Sequence, residues 1–403
     1  MSSRFSTIPD AVEAIGRGEV VIVLDDEARE NEGDFICAAE LATPETMNLV
    51  MSGRGDFCMP ILPEAASRLN LVPLVEHNNS TNQTAFLTPL DHITAKTGIT
   101  AEERATCVRA IADPNSKPED FQRPGHVHLL MAKRGGVLRR AGHTEAAVDL
   151  ARMAGLAPAG VLSEILDDSG DRATRDGLLE IAKEKNLCII TIEDLIAFRR
   201  VTEKLVTQTA TAKLPTKYGQ FKVIAYEVEY ETQEPIAIVM GEPQSQAQAP
   251  LVRMHSSCFT GDLINSLRCD CGDQLDLALK MIAREGHGVL VYLPQEGRGI
   301  GLAEKIKAYA LQDQGLDTVE ANTALGHKAD MRDYGIGLQI LKDLGLKQVR
   351  LLTNNPKKTE AFNLRGFDLT VVDQVPILPP INEHNAEYLA TKREKMGHQL
   401  PIE

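Results

Sequence analysis

Tryptophan is absent from the 403 residues, and aromatic side chains of all kinds make up only 4%. The chain therefore offers no ring-rich platform on which single-stranded bases would stack. Positive charge is also in deficit. Lys and Arg number 43 against 57 Asp and Glu, a formal net charge of −14. That balance argues against a general nucleic-acid or membrane-surface binder. No apolar run approaches the ~18 residues of a membrane span. The opening residues, Met1 to Thr7, lack the apolar core of a secretory signal. Cysteines are few and odd in number, seven, so a disulfide framework is not expected and a cytoplasmic location is.

What is present is a regular alternation of strand-like and helix-like segments. Ile8–Ile15 reads as a helix with Thr7 as its N-cap, and Val20–Leu24 as a buried strand. The segment after Thr174 repeats that pattern, and Val289–Tyr292 and Val349–Thr353 read as further buried strands. No internal repeat is visible. The expected class is α+β: two unrelated mixed α/β domains, each a mixed sheet with packed helices. The polar, Thr-rich stretch near Thr202–Thr216 shows no strong period. It sets the expected division: a first domain over 1–202, a linker over 203–212 and a second domain over 213–403.

Three of the seven cysteines are close together: Cys258, Cys269 and Cys271. Three thiolates suit a soft cation, by default zinc, and leave the fourth tetrahedral position open as in catalytic sites. His255 is the candidate fourth ligand if the site is instead closed and structural. Around this cluster lie Arg253, Arg268, the Gly-rich loop Glu296-Gly297-Arg298, the pair Asp330 and Arg332, and Thr353 to Lys358 after a strand. Together they suggest a nucleoside triphosphate, although the ending of a P-loop is missing. In the first half, six acids and an arginine crowd into Asp25–Asp34, a pattern able to hold a hard cation. Two Gly-His elements, at His126 and His143, stand near Arg123, Arg139 and Arg140.

Residues 213–400 closely resemble GTP cyclohydrolase II. The matching runs are Leu-Arg-Cys-Asp-Cys-Gly at 267–272, Gln-Glu-Gly-Arg at 295–298, Tyr-Ala-Leu-Gln-Asp-Gln-Gly at 309–315 and Leu-Thr-Asn-Asn-Pro-Lys-Lys at 352–358. The resemblance implies conversion of GTP to a diaminopyrimidine ribosylamino phosphate with loss of formate and pyrophosphate. It implies Zn²⁺ on Cys258, Cys269 and Cys271, with an activated water directed at C8 of the guanine. It places the general acid/base on Asp330 and the group that attacks the α-phosphate on Arg332. Arginine is almost always protonated, so an electrostatic clamp is the alternative for Arg332. The implied GTP contacts are Arg253, Met254, His255, Ser256, Ser257, Gln274, Glu296, Gly297, Arg298, Thr318, Thr353 and Lys358, with Tyr309 near the base. Ser257 departs from the glutamate that many members carry there.

Residues 5–200 resemble 3,4-dihydroxy-2-butanone 4-phosphate synthase. The matches include Asp-Asp-Glu-Ala-Arg-Glu-Asn-Glu-Gly-Asp at 25–34, Arg-Pro-Gly-His at 123–126 and Ala-Gly-His-Thr-Glu at 141–145. The implied reaction cleaves ribulose 5-phosphate into a four-carbon phosphate and formate. Glu30 and His143 would ligate Mg²⁺ or Mn²⁺. Arg29, Glu30, Asp34, Arg140, Ala141, Gly142, His143, Thr144 and Glu164 would contact the sugar phosphate, and His126 and Glu164 would form the acid/base pair. Departures from that family fall at Lys96 and over 77–92. The implied whole is a bifunctional riboflavin-precursor enzyme and a homodimer. A degenerate N-terminal scaffold and a GTP-sensing regulator without turnover are the alternative readings.

Overall fold

In a computed structural model the chain separates into two compact units, Met1–Arg199 and Arg200–Glu403. The described residues are 5–397, except 28, 231, 233, 328–331, 333, 356–357, 360–361, 363–367, 384 and 395–396. Asp330 lies outside them.

The first unit is built on strands β1 (Val21–Leu24), β2 (Gly33–Ala38), β3 (Cys58–Ile61), β4 (Phe86–His92), β5 (Phe121–Met131), β6 (Gly160–Glu164) and β7 (Ile189–Thr191). They form one mixed sheet in the order β4-β5-β3-β6-β2-β1-β7. β1, β2 and β3 are buried at every residue, so both faces must be covered. Helices α1 (Ile8–Gly16), α2 (Pro44–Met51), α3 (Pro63–Arg68), α4 (Ala101–Ala112), α5 (His143–Met153), α6 (Arg175–Lys185) and α7 (Ile192–Thr202) accompany them. Two core clusters result, and they divide the alternating residues of β1 and β2: Ile22 and Phe35 in one, Val21 and Ile36 in the other. Starts and stops are local. Thr7 accepts from the backbone of Asp10 to cap α1, and Asn186 ends α6 in a left-handed conformation. Inside the unit, Arg199 is buried against Asp149 at 2.7 Å.

The second unit contains β8 (Val206–Thr216), β9 (Gly219–Val228), β10 (Ile236–Met240), β11 (Leu251–Ser256), β12 (Gly288–Leu293), β13 (Gln348–Leu352) and β14 (Thr370–Val375). The order is β14-β13-β11-β12-β10-β9-β8. β11 to β14 run parallel and β8 to β10 form an antiparallel meander. Helices α8 (Cys271–Glu285), α9 (Leu302–Gln312), α10 (Thr318–Ala324) and α11 (Gly335–Asp343) precede a last described helix, Ala386–Glu394.

The expected linker over 203–212 requires correction. Residues from Val206 onward belong to β8, an 11-residue edge strand hydrogen-bonded to β9. Its residues 207–213 are exposed on both faces, so no apolar alternation marks it. The β-branched threonines favour an extended chain without needing burial.

Candidate functional site

The first unit holds a cavity of about 630 Å³ lined by Arg29, Glu30, Glu32, Asp34, Asp56, Cys58, Thr84, Arg140, His143, Thr144 and Glu164, among others. Its acids come from the β1–β2 connection, from β2, from the turn before β3 and from the end of β6. Asp34 and Glu164 are direct cross-strand partners, which sets two carboxylates side by side. Burial, reinforced by Glu164, Glu32 and Glu30, raises the Asp34 pKa well above the usual carboxylate range. Burial likewise raises Glu164 and pushes Glu32 up to about 7.

His143 opens α5. Its Nε2 lies 3.0 Å from the Val23 carbonyl, so that nitrogen carries the hydrogen and Nδ1 keeps a lone pair. Nδ1 faces Asp34 Oδ1 at 3.8 Å and Glu32 Oε1 at 3.9 Å. Burial lowers the His143 pKa to about 4, leaving the neutral ring that metals bind. Ligand atoms of Asp25, Glu30 and His143 gather within 4.8 Å of one another, as do those of Glu32, Asp34 and His143. Asp34 Oδ1 is buried with no hydrogen-bond partner. An orphaned buried carboxylate oxygen beside a neutral imidazole fits a hard divalent cation. Arg140 donates to Glu145 Oε2 at 2.8 Å and to Thr84 Oγ1 at 3.2 Å. Ala141 and Gly142 form the turn that delivers Arg140, His143 and Thr144.

His126 is not brought to this cavity. It sits on β5, four residues from the cavity residue Leu130, about 13 Å along a strand. There its Nδ1 donates to Asp91 Oδ2 at 2.7 Å, and its backbone N–H donates to Asp91 Oδ1 at 2.9 Å. Sequence reasoning missed Asp91, because only the pairing of β4 with β5 joins positions 35 residues apart. Gly98, at φ +75°, closes on the pair so tightly that a Cβ would lie 2.2 Å from Asp91 Oδ2. The altered Lys96-Thr97-Gly98 turn thus shapes the surroundings of His126. Exposed Val72, Leu74, Val75, Ile93 and Ile99 surround this edge of the sheet.

The second unit holds a cavity of about 1070 Å³. It opens where β11, β12 and β13 end, which is where parallel sheets place ligands. β11 delivers Ser256, Ser257 and Cys258; β12 delivers Gln295 to Arg298; β13 delivers Thr353 to Asn355 and Lys358. Gln274, Tyr309, Thr318 and Arg332 also line it. Met254 is the exception among the implied contacts. Its side chain is buried against Gly337, and only its carbonyl is engaged, by Lys358 Nζ at 2.7 Å.

The three sulfurs of Cys258, Cys269 and Cys271 lie within 4.8 Å of one another. Cys258 and Cys269 are 3.7 Å apart, close to the ~3.8 Å that two Zn–S bonds subtend at a tetrahedral centre. Gly261 floors the cluster. A Cβ there would lie 2.9 Å from Cys269 Sγ and 3.2 Å from Cys258 Sγ. The donor set and its spacing fit zinc. His255 does not join that donor group; its Nε2 pairs with Asp262 at 3.0 Å and its ring stacks on Tyr292. Asp262 Oδ2 also accepts from the Cys258 backbone N–H at 3.0 Å, so this network braces the first cysteine.

Lys305, which no sequence motif singled out, is central here. Its Nζ lies 3.0 Å from Cys258 Sγ, 2.9 Å from Thr260 Oγ1 and 2.8 Å from Glu296 Oε1. Burial acts to lower its pKa, yet hydrogen bonds to Glu296 and Cys258 hold it above its ordinary value. Hydrogen bonds from Cys269 and Cys271, aided by the Lys305 ammonium, draw Cys258 far below the usual thiol range. Among the described residues no helix is long and apolar enough to cross a membrane.

Two chemically distinct sites on two unlike sheets define a chain of two enzymes. Residues 9–198 match the 3,4-dihydroxy-2-butanone 4-phosphate synthase family and residues 207–376 match the GTP cyclohydrolase II family. The riboflavin biosynthesis protein RibBA of Bacillus mycoides is 55% identical over 99% of this chain and 100% of its own length. The RibBA of a Bacillus cereus strain matches equally well. The crystal structure of RibBX, a two-domain 3,4-dihydroxy-2-butanone 4-phosphate synthase from A. baumannii, superposes with TM-score 0.72 at 34% identity, covering 92% of this chain and 99% of that one. The chain belongs to the RibBA family of bifunctional riboflavin biosynthesis proteins. It joins a 3,4-dihydroxy-2-butanone 4-phosphate synthase to a GTP cyclohydrolase II.

Proposed function

We propose that the two cavities are the two active sites and that each releases formate, the first from ribulose 5-phosphate and the second from GTP. The observation that supports this most directly is that each cavity holds a donor set for the cation its reaction requires: carboxylates and a neutral imidazole in one, three clustered thiols in the other.

In the first site Glu30 and His143 would hold Mg²⁺ or Mn²⁺, with Asp34 and Glu32 close enough to bind directly or through water. The cation supplies Lewis-acid stabilisation of an enediolate. Arg140 and the Thr144 end of α5 bind the phosphate, since a helix N-terminus and a guanidinium both favour an anion. Glu164, with its pKa raised by burial, holds and returns a proton near neutral pH. His126, oriented by Asp91, is its partner. Because His126 stands apart from the cavity in one chain, a homodimer that presents it to the other copy's site accounts for its position and for the exposed apolar residues beside it.

In the second site Cys258, Cys269 and Cys271 would hold Zn²⁺, which supplies an activated water for attack on the purine. Arg253, Gln274 and Glu296 anchor the nucleotide, and Tyr309 packs at its base. Arg298, Thr353 and Lys358 meet its phosphates. Arg332 acts as an electrostatic clamp on the phosphates, because a protonated guanidinium is a poor nucleophile; Asp330 remains the proposed acid/base. A reduced thiol triad suits the cytoplasm. The test is formate release by the whole chain from each substrate separately, with magnesium and zinc supplied. Formate from both supports both sites. Formate from GTP alone would reduce the first unit to a scaffold, and formate from neither, with GTP still bound, would leave a sensor.

A further inference from the structure

The residues matched to the cyclohydrolase family end at 376, yet the nucleotide cavity does not. Tyr388, in the helix Ala386–Glu394, lines it. The segment leading there is anchored to the cavity itself. Ile377 donates its N–H to Asn354 Oδ1 at 3.0 Å, and Asn354 Nδ2 donates back to the Ile377 carbonyl. Asn382 and Asn385 then exchange backbone–side-chain hydrogen bonds at 2.8 and 3.0 Å, fixing the start of the helix. Asn385 and Leu389 are fully buried, and the helix packs against α10, which carries the cavity residues Thr318 and Asn322.

Tyr388 covers one group in particular. The Arg298 guanidinium carbon lies 5.8 Å from the centre of its ring. Both terminal nitrogens of Arg298 are buried and lack a hydrogen-bond partner. Gly297 and Arg298 are both in the left-handed region, at φ +62° and +61°, a costly conformation for arginine. A buried guanidinium with two unsatisfied nitrogens, held by a strained loop, is a receptor for an oxyanion. An aromatic face over it supplies a cation–π contact and excludes water, which strengthens the anion contact.

We infer that the C-terminal segment is a wall of the nucleotide site, and that Tyr388 is a positioning residue that holds Arg298 against the polyphosphate of the bound nucleotide. This rests on the reading of the cavity as a GTP site. The test uses the full-length chain and its Tyr388→Ala and Tyr388→Phe variants. Formate release from GTP gives KM and kcat separately. Calorimetry gives the affinities for GMP and for GTP with a methylene bridge between its α and β phosphates. An unchanged kcat for GTP serves as the control for folding of the second unit, and formate from ribulose 5-phosphate as the control for the first. Tyr388→Ala should raise KM for GTP about tenfold, the scale of a desolvated cation–π contact, with kcat changed less than about twofold. The triphosphate analogue should lose more affinity than GMP, and Tyr388→Phe, which keeps the ring, should behave as the unaltered chain. An unmoved KM in Tyr388→Ala, an equal loss for GMP, or a Phe variant as impaired as the Ala variant overturns the inference. If the unaltered chain neither binds nor turns over GTP, the reading of the cavity fails and this inference with it. Turnover by the unaltered chain with an unmoved KM in the variant overturns this inference alone.

Discussion

The two cavities solve the same electrostatic problem in opposite ways. Each gathers several acidic groups into a small buried volume. In the first unit Glu32, Asp34 and Glu164 crowd together, and burial raises the pKa of each. In the second, Lys305 is built into the cluster, bonded to Cys258 and Glu296. In the first site Arg29 pairs with Asp25 and Glu30, while burial favours the protonated forms of Glu32, Asp34 and Glu164; in the second, the Lys305 ammonium meets the thiol cluster directly. A site of like charges gains most from a hard cation and discriminates by charge density. A site with an internal ammonium keeps its thiolate ready and discriminates by ligand softness.

The contrast breaks most sharply at the thiols. Cys269→Ser should reduce GTP-dependent formate release to background, a larger loss than the roughly 100-fold that removing a supporting contact costs. Formate from ribulose 5-phosphate should be unchanged, because the clustered donors of that site are carboxylates and an imidazole. Measuring both activities with bound zinc on one preparation checks this. A parallel loss of both would mean that the two sites are not chemically independent.

On the oxygen side the next largest effect falls on Asp91. Asp91→Asn removes the carboxylate that orients His126 and should lower ribulose 5-phosphate turnover by roughly 10²-fold or more, the scale of general acid–base catalysis. Turnover of GTP should not move. An unchanged rate would mean that the Asp91 carboxylate does not orient a working His126, and would remove the pair from the proposed acid/base machinery.

Lys305→Met sharpens the comparison by removing the ammonium that meets the second site's thiol cluster. GTP turnover should fall about 10- to 100-fold, as for other groups that support metal ligands. In the cobalt-substituted protein the sulfur-to-metal absorption should move to longer wavelength, because a thiolate that loses an N–H···S bond is more electron-rich. A rate loss without that shift would confine Lys305 to holding Glu296.

How much of this was legible in the sequence follows the same division. Asp25–Asp34 and Cys258–Cys271 are short runs in which neighbouring residues supply several donors at once, so spacing alone suggested a hard and a soft cation. Asp91, Lys305 and Tyr388 carry no such signal. Asp91 reaches His126 through a strand pairing, Lys305 reaches Cys258 from a helix 47 residues away, and Tyr388 arrives with the chain's last described helix. The strands of the parallel core were readable as apolar runs because both faces are buried. β8 was not, since an exposed edge strand needs no apolar period. The distance between His126 and the first cavity was hidden for a different reason: motifs report which residues a family uses, not where the fold of one chain places them.

The smallest expected effect is a proton count, and it tests the origin of the contrast. Glu32 rises from about 4.5 to about 7 on burial among like charges. The folded, cation-free unit thus binds this proton more tightly than the unfolded chain does. The stabilisation is full below about pH 4.5 and is lost as pH rises through 7. The melting temperature of the first unit in chelator should therefore fall across that window, and the slope should flatten when Mg²⁺ is added. A cation that enters near pH 6 must displace the proton, so its apparent affinity should rise up to about pH 7 and then level off. Calorimetric titration of the whole chain with Mg²⁺, in two buffers of different ionisation enthalpy, reads the released proton directly. A binding heat that does not depend on the buffer would mean that the acids of the first site are already ionised. The first cavity would then owe its affinity to geometry rather than to relief of crowded charge.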